Sequence, residues 1–197
     1  YGDTRESPDE TRLDVERLPP DAIEVTRDLY AHGLFLEGHL GGRGFVGGIG
    51  DVSHGGPWAG VGIGVEVWEW LWLRAAFEVS IHGTDGPSPP STTVFEMLGA
   101  LVELRLQLPL SAAVALWLGG EVGAHLLLSD VLESYGFVGS DELGPMYGGN
   151  LGVDWHFESR HLSAGLLGGA RIYPELQGPR ATATLGIQGA LYLRYVF

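Results

Sequence analysis

Residues able to do chemistry recur along this chain with one spacing. Glu37, Glu66, Arg74, Glu78, Glu103, Arg105, Glu121, Asp154, Glu158, Arg171 and Arg194 each stand in a run whose alternate residues are apolar. Side chains of a strand point alternately to its two faces. All eleven charges are therefore expected on the less apolar face of one sheet. Seven carboxylates against four guanidiniums predict ion pairs with acid in excess. His39, His82 and His125 fall on the same parity. Three imidazoles make a metal site if they converge. These stand in the first, third and fifth periodic segments, so hydrogen-bonded histidines without a metal are the expectation. His161 and Ser163 put an imidazole and a hydroxyl on one strand face, the partners of a nucleophilic site. No acid is clearly placed to orient His161, which a triad requires. No catalytic set and no cofactor are therefore expected. With no Cys in 197 residues, thiol chemistry is excluded.

The elements that must position these groups are strands. Residues 182–197 show the pattern best. Phe197, Tyr195, Leu193, Leu191, Gly189, Ile187, Leu185 and Ala183 alternate with Val196, Arg194, Tyr192, Ala190, Gln188, Gly186, Thr184 and Thr182. The same period of two runs through 33–40, 58–68, 71–82, 94–107, 112–128, 149–158 and 162–173, which makes eight strands. A soluble barrel would bury the Val, Leu and Ile rows and show the other face to water. Here the bulky apolar residues are too many for one interior, and the other face is mostly Gly, Trp and paired charge. Turned inside out, the pattern fits a membrane barrel with its apolar band in lipid and its polar set in the lumen. The predicted fold is an all-β, eight-stranded antiparallel up-and-down transmembrane β-barrel over 29–197, preceded by an irregular N-terminal extension over 1–28.

The links support this fold. Short ones around Glu69–Trp70, Leu108–Ser111 and Ser159–His161 alternate with longer ones at 41–57, 83–93, 129–148 and 174–181. Outer-membrane barrels combine short periplasmic turns with longer outer loops. Both chain ends are then expected in the periplasm. Trp70, Phe157, Tyr195 and Phe197 are predicted at the periplasmic rim and Trp58 at the outer rim. The lumen admits two readings: a structural plug, or a narrow cation-preferring pore. Gly60, Gly62, Gly64, Gly152, Gly165 and Gly169 all point inward by parity and would leave space for the pore.

The extension differs in kind. Residues 1–28 hold nine acids and four Arg, with Pro8, Pro19 and Pro20. This composition suits a solvated tail or a docking segment for a periplasmic protein. A formal net charge of −14 makes nucleic acid an unsuitable partner. The start at Tyr1 is compatible with a mature, processed chain. The acidic outer loops suit solvent, or divalent cations bridging to lipopolysaccharide.

Residues 30–197 resemble the small eight-stranded outer-membrane barrels of the OmpA/OmpX type. The segment from Gln188 to Phe197, with Tyr195 and Phe197 at alternate positions, resembles the C-terminal signal read by the barrel-assembly machinery. That resemblance implies an integral outer-membrane protein of a Gram-negative envelope, in contact with outer-membrane lipid and lipopolysaccharide. His161-Leu162-Ser163 resembles the dyad of outer-membrane lipid A deacylases, which share this scaffold. It departs from them in having Ala164 next and in lying at a short turn. The expected role is non-enzymatic, structural or interactive. The narrow pore is the alternative and a lipid A-modifying enzyme the second.

Overall fold

The computed structural model describes residues 33–85, 94–137, 142–157, 161–177 and 182–197. The extension 1–28, most of the second long link, Asp141 and Glu158 lie outside the described residues. Eight strands follow in chain order: β1 (Leu34–Val46), β2 (Gly56–Trp68), β3 (Leu71–Gly83), β4 (Val94–Pro109), β5 (Val114–Leu127), β6 (Gly144–His156), β7 (Leu162–Tyr173) and β8 (Thr184–Val196). Each pairs antiparallel with its chain neighbours, and β8 pairs with β1 to close the barrel. Closure removes every sheet edge, as hydrocarbon demands of a spanning sheet.

The alternation sorts as its inverted reading requires. Leu36, Leu40, Val61, Ile63, Phe77, Val102, Leu118, Val122, Leu151, Leu191 and Leu193 are exposed on the outer wall. Glu37, Arg74, Glu78, Glu103, Arg105, Asp154, Arg171 and Arg194 are buried inside it. Charges within and a bare apolar band without leave lipid as the solvent of the outer face.

The barrel has a turn end and a loop end. At the turn end, β2 passes to β3 through Glu69–Trp70. Ser111 Oγ accepts from the backbone N–H groups of Ala113 and Val114 to tighten the turn between β4 and β5. Both ends of the described chain lie here, since Phe197 N donates to Leu34 O at 2.9 Å. At the loop end, a 3₁₀ turn at Gly48–Asp51 and another at Asp130–Tyr135 fold over the mouth. Gly47 and Gly48 enter the first with φ of 66° and 49°, a region that favours glycine. Thr182 and Thr184 hydroxyls accept from the N–H groups of Gly48 and Ile49, and Thr184 donates onward to Leu176 O. This ties the first long link to the fourth. Ile49, Leu132, Phe137 and Leu176 are buried with Phe95, Met97, Leu127, Met146 and Tyr173 in one apolar cluster. They form a roof seated in the mouth.

Several expectations are corrected. β1 continues to Val46, beyond residue 40, and the first long link shrinks to 47–55. Gly41, Gly42 and Gly44 carry no side chain to display the period, yet their backbone pairs with Ala190, Gly189 and Ile187. β6 begins at Gly144 rather than 149. The alternation over 58–68 puts Trp68 on the same face as Gly60, Gly62, Gly64 and Glu66, the face expected to point inward. A register shift between Glu66 and Trp68 turns it out, where it stacks on exposed Trp70 at 5.6 Å. Trp58, expected at the outer rim, is buried in the lumen. Trp70, Phe157, Tyr195 and Phe197 are exposed near the turn end.

Candidate functional site

The lumen is the chemically dense part of the molecule. Glu37 on β1 is the hub of its turn-end half. Arg105 on β4 grips it with two guanidinium N–H groups, at 2.6 and 2.8 Å. Arg194 on β8, its cross-strand neighbour, donates at 2.9 and 3.0 Å. Arg74 Nε on β3 lies 3.1 Å away. Glu103 receives Arg74, Arg105 and Asn150 at 2.9 to 3.0 Å. Asp154 takes Arg194 at 3.0 Å and the Tyr192 hydroxyl. Nearer the loop end, Glu78 accepts from Arg43 at 2.6 Å, from Arg171, and from the Trp58 indole at 3.1 Å. Arg171 also donates to Glu121 at 2.6 Å. Asn150 and Gln188 join the two clusters. Asn150 donates to Glu103 and Glu121, and Gln188 donates to Asn150 while accepting from Arg43.

Indole and phenyl faces fill the remaining space. The Arg105 guanidinium lies 4.1 Å from the Trp117 ring, Arg194 4.3 Å from Trp72, and Arg43 4.7 Å from Trp58. Such contacts favour a desolvated cation. The inward glycines do not leave a passage. The space at Gly60 is taken by His39, at Gly62 by Arg74 and at Gly64 by Phe35. Gly152 is filled by Trp117, Gly165 by Tyr192 and Gly169 by Asn150. Each glycine is a socket for a large side chain from across or beside it.

The charge balance differs from expectation. Arg43 was missed, because its strand was expected to end at residue 40, three residues before it. It brings the buried guanidiniums to five: Arg43, Arg74, Arg105, Arg171 and Arg194. They face five buried carboxylates: Glu37, Glu78, Glu103, Glu121 and Asp154. Among the described residues the packed lumen is therefore neutral, not acidic. Glu66 is only half-buried near the turn end, and no described guanidinium lies within ion-pair distance of it. Glu158 falls outside the described residues. Tyr192, Trp117, Asn150 and Gln188 were also missed as members. Their parity was legible, but reach across a lumen is not encoded in a period.

The histidines do not assemble. His39 packs on Trp58 at 4.3 Å and faces Arg74. His82 and His125 stand among aromatic rings near the loop end. Among the described residues no group of three His, Cys, Asp or Glu is placed to hold a metal ion. The His161–Ser163 pair is separated. His161 is exposed, with Nδ1 2.8 Å from Val196 O and its ring stacked on Tyr195. Ser163 is buried inside the wall.

A closed eight-stranded barrel, apolar outside and ion-paired within, defines a small transmembrane barrel of the outer-membrane type. Solved structures agree on the fold. The chain is similar to Neisserial surface protein A, with a TM-score of 0.59 and 16% identity over 84% of this chain and 97% of that one. It is also similar to the outer membrane protein OprG from Pseudomonas aeruginosa, with a TM-score of 0.50 and 12% identity over 84% and 96%. No family model and no curated protein matches the sequence.

Proposed function

We propose that this chain is a non-enzymatic structural or interaction protein of the Gram-negative outer membrane, built on a sealed barrel. The observation that carries this reading is the filled, neutral lumen beneath an apolar roof. A cation-preferring path needs water and excess acid along its length, and neither suits five matched pairs packed against Trp58, Trp72 and Trp117. The purified barrel in planar bilayers is expected to give no unitary current at either polarity. Reproducible current steps would overturn the sealed reading.

By this reading the turn end faces the periplasm, and residues 1–28 leave the barrel there to dock on a periplasmic protein as part of an envelope assembly. The joint position of Gly33 and Phe197 at the turn end supports one address for both. Exposed Tyr195 and Phe197, edge to face at 5.2 Å, suit recognition by the barrel-assembly machinery. The outer wall meets lipid, and the acidic loop end meets lipopolysaccharide. In-cell cross-linking tests the docking step. A chain of residues 29–197 is expected to reach the membrane but lose the full chain's periplasmic cross-links. Retention of those cross-links would remove the role of 1–28. The lipid A deacylase reading gains no support from an exposed His161 and a buried Ser163.

A further inference from the structure

Beneath the loop-end roof, five rings form a row that draws on β4, β3, β1, β7 and β5. Phe95 of β4 stacks on His82 of β3 at 5.2 Å, and His82 meets Phe45 of β1 at 4.6 Å. Phe45 meets Tyr173 of β7 at 6.0 Å, and Tyr173 meets His125 of β5 edge-on at 5.0 Å. All but Phe45 are essentially fully buried. The roof residues Ile49, Leu132, Phe137 and Leu176 belong to the same apolar cluster.

The two imidazoles serve here as aromatic rings. His82 Nδ1 lies 3.3 Å from the His54 carbonyl, while its Nε2 and His125 Nδ1 have no hydrogen-bond partner among the described residues. No described carboxylate forms an ion pair with either. The charged group facing His82 is Arg43 from β1. Those facing His125 are Arg171 from β7 and Arg43 from β1. Glu78 and Glu121, on the histidines' own strands, are already held by Arg43 and Arg171. Glu175, beyond β7, approaches the His125 edge near Gly144 from the exposed rim. At that rim the exposed His54 imidazole is paired with Asp85 at 2.5 Å.

A neutral imidazole fits such a row. A protonated one brings a full charge and a second N–H into an apolar site whose facing charges are mainly guanidiniums. Burial and like charge both oppose that form. Lifting the roof would admit water to both rings. Side-chain ties at the roof run from Gly48 to Thr182 and from Ile49 and Leu176 to Thr184, and backbone bonds at the rim join His54 to Gly83 and Asp85 to Val52.

We propose that the aromatic row is an acid-sensitive latch: protonation of His82 and His125 releases the loop roof from the barrel mouth, while the ion-paired lumen below stays shut. The proposal does not depend on the docking role of 1–28. Amide hydrogen exchange of the barrel in lipid nanodiscs tests it, corrected for the intrinsic pH dependence of exchange. Between pH 7.5 and 4.5, residues 47–55 and 128–137 are expected to lose protection at least about tenfold, the loss beginning as pH falls below the range of a free histidine and deepening toward the acid end. The lumen-facing middle of each strand is expected to keep its protection. His82→Phe/His125→Phe keeps ring shape and is expected to hold the roof at both pH values. If that double variant does not assemble, each single variant is expected to remove part of the response. A flat wild-type profile overturns the latch, and so does an undiminished response in the variants that assemble.

Discussion

Glu37→Ala is expected to destabilise the barrel by about 3–5 kcal/mol, the loss associated with removing one member of a buried ionic cluster. Three guanidiniums, from Arg74, Arg105 and Arg194, converge on this carboxylate. Without it they share Glu103 and Asp154, and the packed lumen carries an unmatched positive charge. Water cannot easily compensate, because Trp72 and Trp117 cover the guanidinium faces. Urea unfolding from lipid vesicles, followed by tryptophan fluorescence, measures the loss. Glu66→Gln is the matched control. It neutralises a half-buried carboxylate outside the network and is expected to stay within about 0.5 kcal/mol of wild type. If Glu37→Ala behaves like Glu66→Gln, the lumen is wet and the sealed reading falls with it.

Gly64→Val is expected to cost about 3 kcal/mol, at the upper end for overpacking. A Cβ at Gly64 would overlap the Phe35 ring and come within 2.6 Å of the Leu73 carbonyl oxygen. Phe35 has little room to retreat, because it packs on Trp72 at 5.4 Å and beneath the Arg194 guanidinium at 5.3 Å. Gly120 provides the contrast. It faces outward, and no atom stands within 4 Å of its Cβ position. Gly120→Val is expected to remain within about 0.5 kcal/mol of wild type. Adding Phe35→Leu to Gly64→Val is expected to recover part of the loss. Equal effects at Gly64 and Gly120 would mean that the sockets are open space, as the pore reading requires.

The strands were legible because lipid enforces a strict period of two, and a row such as Val61, Ile63, Val65 has no other use in a chain with so few charges. The inward parity of Glu37, Glu78, Glu103 and Arg194 followed from the same rule. The failures have particular causes. Arg43 was lost where glycines flank it in β1 and the period has nothing to show. Trp68 was misplaced because a bulge resets parity without a mark in composition. Trp58 was assigned to a rim by its position near a link, although its own parity pointed inward. The acid excess came from a count that omitted Arg43 and included Glu66 and Glu158, the second of which lies outside the described residues. Counting side chains on a face says nothing about which of them reach one another across a lumen. The roof was invisible for a related reason: Ile49, Leu132 and Leu176 are isolated apolar residues in irregular segments, and only the barrel mouth gives them a common destination.

The neutral lumen also bears on how the wall is joined. Arg194 is 157 residues from Glu37, and Arg43 is 145 from Gln188. Neither pair exists until β8 meets β1. The seam lies between them, with Arg194 opposite Glu37 and Gln188 opposite Arg43. A slip of two residues would keep every apolar side chain in lipid and pass any test based on alternation alone. It would also place Arg194 opposite Phe35 or His39 and leave carboxylates stranded in a dry interior. The outer face tells β8 which way to turn, and the charges inside tell it where to stop. The lumen thus acts as a register lock for the last joint, checked at the moment the cylinder closes.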